Sequence, residues 1–167
     1  MANEVVLKFK KVSKDAGIPE YILGSDVGFD LKTSENTKIF PMEQKVVKTG
    51  IVLEIPKGYV GLIRDRAGVA QKMNVHTVAG TFDSGFRGEV SVMVVNMNDT
   101  TIEIEKGTRI AQMILIPVVK AKILEVGKLS ETERGEKSFG SSGMKDVLKE
   151  LNSLYKKGKK KIKKSKK

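Results

Sequence analysis

Apolar and polar residues alternate along most of this chain in short runs. Residues 88–97, "GEVSVMVVNM", alternate small or polar with apolar side chains, and residues 100–107, "TTIEIEKG", place Ile102 and Ile104 on one face. Residues 57–65 and 108–119 are further apolar runs rich in β-branched residues. Because successive strand side chains point to opposite faces of a sheet, these runs predict half-buried β-strands.

Turn residues separate these runs at regular intervals. They occur at Pro56-Lys57-Gly58, Asn98-Asp99 and Lys106-Gly107. Residues 45–56, "KVVKTGIVLEIP", predict two strands that meet at Thr49-Gly50. Strands about ten residues apart, without helices between them, predict an all-β barrel or jelly roll.

The C-terminal part follows other patterns. Residues 144–155 place apolar side chains at helical spacing and predict a short amphipathic helix. Residues 156–167, "KKGKKKIKKSKK", contain nine lysines and no acid. Such a run repels itself and predicts a disordered tail. The predicted organisation is therefore a β-barrel domain at 1–133, a glycine-rich arm at 134–143, the helix at 144–155 and the tail at 156–167.

Charge and composition narrow the function classes. The formal net charge is +11, and removal of the nine tail lysines leaves 11 − 9 = +2. The tail is therefore either a solubilising segment or a site of non-specific attraction to nucleic acid. The chain has no cysteine and one histidine, His76, which argues against thiolate metal sites and histidine-activated nucleophiles.

Membrane association is not predicted. The sequence contains no apolar run near the roughly 20 residues that a membrane helix requires, and no apolar signal-peptide segment at its start. These features, with the absence of cysteine, predict a soluble protein of the cytoplasm.

Five stretches place glycines and polar residues where strands would not favour them. Arginines, glutamine and small residues that expose main-chain N–H groups are suited to a polyphosphate. Aspartates suit a hard cation or a general base, and phenylalanines offer flat faces to a sugar and a base. The five stretches are "VGFDLKT" (27–33), "RDRAGVAQK" (64–72), "AGTFDSGFRGE" (79–89), "KGTRIAQ" (106–112) and "RGEKSFGSSG" (134–143).

In sequence and in order, these stretches resemble the five motifs of the trimeric dUTPase family. The resemblance spans roughly residues 5–143. It implies a jelly-roll subunit and a homotrimer with active sites at the subunit interfaces. It also implies Mg²⁺-assisted hydrolysis of dUTP to dUMP and pyrophosphate. The arm would cross to a neighbouring subunit and close over the nucleotide.

The resemblance also implies a role for individual residues. Asp83 would activate the attacking water, and Asp30 would hold Mg²⁺ through coordinated water. The base and sugar would be bound by Thr77, Gly80, Thr81, Phe82, Phe86 and Ser91. The phosphates would be bound by Arg66, Ala67, Gly68 and Gln112. From the arm, Phe139 would stack on uracil, Arg134, Ser141 and Ser142 would contact phosphates, and Gly140 would allow close approach.

The chain departs from the family pattern at several positions. Ala67 stands in place of a serine, so one hydroxyl contact to the phosphates is missing. Asp65 replaces the usual proline and is expected to add a negative charge near the triphosphate. In the arm, Lys137 and Ser138 replace two glycines.

Three other functions remain open at this stage. A dCTP deaminase would need a glutamate where this chain has Met93. A nucleotide-sensing or partner-binding protein that retained the fold with little turnover would fit Ala67 and the basic tail. A nucleic-acid-binding β-barrel would leave the five motifs without an explanation.

Overall fold

The computed structural model of the chain describes residues 5–136, Lys149 and Tyr155. It divides into two compact units, Met1–Ala121 and Lys122–Lys167. The predicted helix at 144–155, apart from Lys149 and Tyr155, and the predicted disordered tail at 156–167 lie outside the described residues.

Ten strands and one short helix form the described part of the first unit. In chain order they are β1 (Lys8–Lys11), β2 (Gly28–Lys32), β3 (Thr37–Ile39), β4 (Gln44–Glu54), β5 (Tyr59–Asp65), α1 (Ala67–Met73), β6 (Val75–Thr77), β7 (Thr81–Phe82), β8 (Glu89–Asn96), β9 (Ile102–Ile104) and β10 (Arg109–Pro117).

The strands form two four-stranded sheets and one two-stranded sheet. Their strand orders are β1-β4-β8-β6, β2-β10-β5-β7 and β3-β9, and the paired strands are antiparallel. Strands that are distant in sequence therefore lie side by side, as in a jelly roll. The predicted all-β jelly-roll fold is confirmed, with one short helix added to it.

One apolar core holds the two large sheets together. In β8, burial alternates with the sequence, so Val90, Val92 and Val94 are buried while the side chains between them are half-exposed. From the second sheet, Phe29 and Met113 join the same cluster. The alternation that predicts these strands is therefore also what fills the core.

The prediction of two strands meeting at Thr49-Gly50 is wrong. Residues 44–54 form one continuous strand, β4, whose register against β8 shifts between Lys48 and Val52. Gly50 has φ +70°, and its N–H donates to a side-chain oxygen of Glu89 at 2.8 Å. The glycine therefore marks a bulge within the strand rather than a turn between two strands.

The helix α1 was not predicted. Its seven residues contain a single buried apolar side chain, Val69. It ends at Asn74, which has φ 48° and ψ 43°, a left-handed conformation that asparagine tolerates well. The helix is relevant to the site because its first two residues, Ala67 and Gly68, line a cleft.

The described residues of the second unit include a turn at Thr132–Gly135. The main-chain N–H of Gly135 donates to the carbonyl oxygen of Thr132 at 3.0 Å, and Gly135 has φ +52°. Arg134 is the third residue of this turn. In the described part of the chain, no helix has the length and apolar character needed to cross a bilayer.

Candidate active site

A cleft of about 400 Å³ lies between the segment 22–26, β2, β10 and the start of α1. Its lining includes the four residues outside the arm that are predicted to bind phosphates. We call it the arginine cleft. It is lined by Ile22, Leu23, Asp26, Gly28, Asp30, Arg66, Ala67, Gly68, Arg109 and Gln112.

Asp30 is the buried acid of the arginine cleft, with 5% of its surface exposed. Its Oδ1 accepts a hydrogen bond from Arg66 Nε at 2.7 Å, and its Oδ2 lies 3.6 Å from Arg109 Nε. Within the described residues, Oδ2 is buried without a hydrogen-bond partner. Asp30 therefore fixes Arg66, and its Oδ2 can still accept a hydrogen bond from a further donor.

Arg109 is a cleft residue that the assignments by resemblance missed. It lies in the "KGTRIAQ" stretch, three residues before Gln112, and is exposed. Its carbonyl oxygen accepts a hydrogen bond from Arg66 at 3.3 Å. The signal was present in the motif itself, because an arginine beside a predicted phosphate-binding glutamine is a candidate for the same ligand.

Gln112 is held at the centre of the arginine cleft. Its Nε2 donates to the main-chain oxygen of Asp65 at 2.9 Å. Gly28 faces it across the β2–β10 pair, and a Cβ at Gly28 would lie 2.7 Å from Gln112 Oε1. Because glycine has no side chain, Gln112 can occupy this position beside residue 28.

Ala67 and Gly68 are the first two residues of α1 and are exposed to the cleft. The first N–H groups of a helix have no intrahelical acceptor. A Cβ at Gly68 would meet no protein atom within 4 Å, so the space above it is open. Both residues thus offer main-chain donors, while Ala67 adds no hydroxyl group.

A second pocket of about 270 Å³ is formed by the segment after β6 and by β5. We call it the hairpin pocket. The predicted base-binding residues Thr77, Gly80 and Thr81 line it together with Leu62, Ile63, Arg64, Val78 and Ala79. The main-chain N–H of Ile63 donates to the Gly80 oxygen at 2.8 Å.

Gly80 allows this segment to lie directly against β5. A Cβ at this position would be 2.5 Å from Ile63 Cβ and 3.2 Å from Ile63 Cα. Because the second atom belongs to the backbone, a side chain could not be accommodated without moving the strand or the segment. The close packing of this segment on β5, which forms the wall of the hairpin pocket, therefore requires glycine at position 80.

Asp83 and Phe86 are the first and last residues of a turn just beyond the hairpin pocket. The N–H of Phe86 donates to the Asp83 carbonyl oxygen at 3.0 Å. The Asp83 carboxylate is exposed to solvent. The Phe86 ring packs edge-on against Phe82 with ring centroids 5.5 Å apart, yet keeps 43% of its surface exposed. The turn thus holds a carboxylate and an aromatic face next to the pocket.

The Asp65 side chain points toward β6 rather than into the arginine cleft. Its Oδ1 accepts hydrogen bonds from the N–H and the hydroxyl of Thr77, each at 2.7 Å, and its Oδ2 lies 2.9 Å from His76 Nδ1. Burial opposes ionisation, but the bonds from Thr77 and His76 outweigh it and hold the pKa of Asp65 below its usual value. The carboxylate that the sequence places near the triphosphate is therefore bound to β6 and does not line the arginine cleft, and its effect on phosphate binding stays a prediction.

The two pockets have no lining residue in common among the residues that the structure describes. Ser91 lies on β8 opposite Lys48 and lines neither of them. Of the arm, the structure describes residues 134–136, so the predicted contacts of Phe139, Gly140, Ser141 and Ser142 lie outside the described residues.

Direct metal coordination has little support in the described residues. They contain no group of three or more His, Cys, Asp or Glu side chains that could hold a metal ion. Asp30 is a single carboxylate with one oxygen already bound to Arg66. This arrangement fits an ion that keeps its own water molecules and arrives with an anionic ligand, because one of those waters could donate to Asp30 Oδ2.

The sequence of this chain is similar to those of known dUTPases. The dUTPase family model matches residues 14–143. The deoxyuridine 5'-triphosphate nucleotidohydrolase of Nautilia profundicola is 45% identical over 139 residues, which are 82% of this chain and 98% of that protein. That of Hydrogenobaculum sp. is 42% identical over 142 residues, 83% of this chain and 99% of that protein.

A solved dUTPase structure has the same fold as this chain. The dUTPase of Staphylococcus bacteriophage 80alpha, in complex with dUPNHPP, superposes with a TM-score of 0.79 and 32% identity, over 83% of this chain and 98% of that one. The residues that the family model matches include the five motifs and the lining of both pockets. This chain belongs to the dUTPase family.

Proposed function

We propose that the chain hydrolyses dUTP to dUMP and pyrophosphate, binding the base in the hairpin pocket and the phosphates in the arginine cleft. The observation that carries this proposal is the arrangement of the hairpin pocket, which leads within two residues to an exposed aspartate, Asp83, and then to the ring of Phe86. A base site, a carboxylate for the reaction and an aromatic face for the sugar are therefore close together in the chain.

Base selection would rest on main-chain groups. The segment from Thr77 to Thr81 lines the hairpin pocket, and its carbonyl and N–H groups can pair with the edge of uracil as an adenine would. Gly80 packs directly on Ile63, so the pocket has little freedom to widen for the methyl group of thymine. Phe86 would lie against the deoxyribose and exclude a 2'-hydroxyl group.

The phosphates would bind to Arg66, Gln112 and the N–H groups of Ala67 and Gly68. Arg109 adds a second guanidinium to the same cleft. Because Ala67 lacks the serine hydroxyl of the family pattern, one hydrogen bond is absent. A neutral hydrogen bond contributes about 0.5–1.5 kcal/mol, so this loss weakens phosphate binding without removing it.

Mg²⁺ bound with the triphosphate would neutralise charge that builds up on the phosphate oxygens. Asp30 would hold it through a coordinated water at Oδ2, the oxygen that has no hydrogen-bond partner among the described residues. Arg66 at Oδ1 and Arg109 near Oδ2 hold the Asp30 carboxylate in its orientation. The contribution of the chain is thus an oriented acceptor rather than a complete coordination shell.

In the proposed reaction, Asp83 orients a water molecule and accepts its proton as the water oxygen attacks the α-phosphorus. The bond from that phosphorus to the bridging oxygen breaks, and pyrophosphate leaves. The exposed position of Asp83 in the described part of the chain leaves it accessible to both water and substrate. General-base catalysis of this kind accelerates a reaction by about 10²–10⁴-fold.

A homotrimer would bring the hairpin pocket of one subunit to the arginine cleft of another. Two features of the single chain support this arrangement. The two pockets share no lining residue in the described part of the chain, and large apolar side chains such as Val119, Met42 and Val46 are 96%, 65% and 52% exposed. The arm of a further subunit would then close the site, with Phe139 on the uracil and Arg134 at the phosphates.

The proposed activity is tested with a panel of dUTP, dTTP, dCTP and UTP, assayed for pyrophosphate with Mg²⁺ present or chelated. We expect rapid release from dUTP alone, and a loss of that release on chelation. Equal release from UTP would contradict sugar selection by Phe86. Ammonia release from dCTP would instead favour deamination, although Met93 on β8 cannot carry protons as a glutamate would.

The lysine-rich tail would add a weak attraction to nucleic acid in the cytoplasm. Neutralised phosphates release counterions, so such binding falls steeply with salt. We expect DNA binding at low salt to disappear when residues 156–167 are deleted, with dUTP hydrolysis unchanged. Salt-sensitive DNA binding that survives the deletion would place the nucleic-acid contact on the β-barrel domain.

A further inference from the structure

Asp65 occupies the junction between the two pockets. It is the last residue of β5, whose residues 62–64 line the hairpin pocket, and it precedes Arg66 of the arginine cleft. Its main-chain oxygen holds Gln112 of the cleft, while its carboxylate holds Thr77 of the pocket. One residue therefore contacts a lining side chain on each side.

The carboxylate fixes the C-terminal end of β6, a short strand whose Val75 is already held in the core. The strand has three residues, and among the strands that the structure describes it lies at the edge of its sheet and pairs with β8 alone. The Thr77 N–H donates to Asp65 Oδ1, which takes the place of an acceptor on a neighbouring strand. The Thr77 hydroxyl binds the same oxygen, so both the backbone and the side chain of Thr77 are fixed.

We propose that Asp65 is a positioning residue for base selection, which sets the width of the hairpin pocket by holding Thr77. This inference rests on the proposed function, since it takes the hairpin pocket as the uracil site. Without the carboxylate, Thr77 could move outward from β5 and the pocket could admit the methyl group of thymine. The phosphate side would be unaffected, because Gln112 is held by a main-chain oxygen that every substitution retains.

The test compares Asp65→Ala, Asp65→Asn and a matched control in the purified full chain. Asp65→Ala removes both acceptors, while Asp65→Asn keeps one oxygen for Thr77. The control is Glu43→Ala, because Glu43 also accepts a main-chain N–H, that of Phe40 at 2.7 Å, and has a similarly exposed side chain, 30% against 33%. Glu43 lines neither pocket.

For Asp65→Ala we expect the ratio of kcat/KM for dUTP to that for dTTP to fall about tenfold, the scale on which one methyl group is discriminated. The KM for dUTP should rise with kcat little changed, and inhibition by pyrophosphate should stay as in the unaltered chain. Asp65→Asn should restore most of the ratio, and Glu43→Ala should leave it unchanged. If Asp65→Ala does not fold, Asp65→Ser, which is too short to reach Thr77, replaces it.

A folded Asp65→Ala or Asp65→Ser variant with the unaltered selectivity ratio would overturn the inference. So would an equal fall in Glu43→Ala, since any loss of a turn contact would then suffice. If the unaltered chain did not hydrolyse dUTP, the proposed function and this inference would both fall. If it selects dUTP and the Asp65 variants select it equally well, the inference alone fails.

Discussion

Asp83→Asn is expected to lower the turnover of dUTP by about 10²-fold or more while leaving nucleotide binding nearly intact. An amide cannot accept a proton from the attacking water at neutral pH, so the general-base contribution is lost. Asparagine has the same shape, and Asp83 is exposed to solvent, so the fold should be unaffected. The measurements are kcat from pyrophosphate release and the Kd of a non-hydrolysable dUTP analogue.

A suitable control for this variant is Asp99→Asn. Asp99 is another exposed aspartate in a loop, and it lines neither pocket. It should keep the full rate. An Asp83→Asn variant that turns over dUTP at the unaltered rate would remove Asp83 from the role of base, whereas loss of analogue binding would assign it to substrate binding instead.

Deletion of residues 134–167 is expected to abolish useful turnover while leaving the oligomer intact. The deletion removes Arg134 and Phe139, which we propose to seal the nucleotide against water and to contact its terminal phosphate. Closing segments of this kind complete a catalytic site, so their loss affects kcat as well as KM. The described strands and core all precede residue 134, so the fold should persist. Pyrophosphate release and size-exclusion chromatography with light scattering measure the two effects.

The matched control is a shorter deletion, of residues 144–167, which keeps the whole arm and removes the predicted helix and tail. It should retain most of the activity. If the longer deletion stayed fully active, Arg134 and Phe139 would have no part in catalysis. If the shorter deletion were already inactive, the region after the arm would be needed to place it.

The strands could be predicted from the sequence because burial follows alternation. In β8, the buried positions Val90, Val92 and Val94 are the ones that the pattern assigns to a core face. The bulge in β4 could not be predicted in this way. Thr49-Gly50 carries the local signal of a turn, and only the pairing with β8, about 40 residues later in the chain, makes the strand continuous.

The helix α1 could not be predicted for a different reason. Seven residues with a single buried apolar side chain, Val69, are too few to give a helical period. The helix is fixed instead by its position between β5 and β6, and its first residues are held near the Asp30–Arg66 pair. Short elements of this kind depend on tertiary structure more than on sequence pattern.

The sequence motifs predicted which residues line the site, but not most of the contacts between them. The motifs gave Arg66, Ala67, Gly68 and Gln112, which the structure brings together in one cleft. The direction of the Asp65 carboxylate could not be predicted, because its partners on β6 are brought to it by the fold. The roles of these residues in binding and catalysis, and those of Ser91 and the residues from Phe139 to Ser142, stay predictions.

The central claim, that each site is completed by more than one copy of the chain, is tested most directly by mixing two inactive variants. Asp83→Asn and the chain lacking residues 134–167 are unfolded and refolded together, or produced together, and assayed for pyrophosphate release from dUTP. In randomly mixed trimers, about one site in four receives Asp83 from one variant and an arm from the other, so we expect roughly a quarter of the unaltered activity to return. Activity no higher than that of the separate variants, in confirmed mixed oligomers, would contradict the claim.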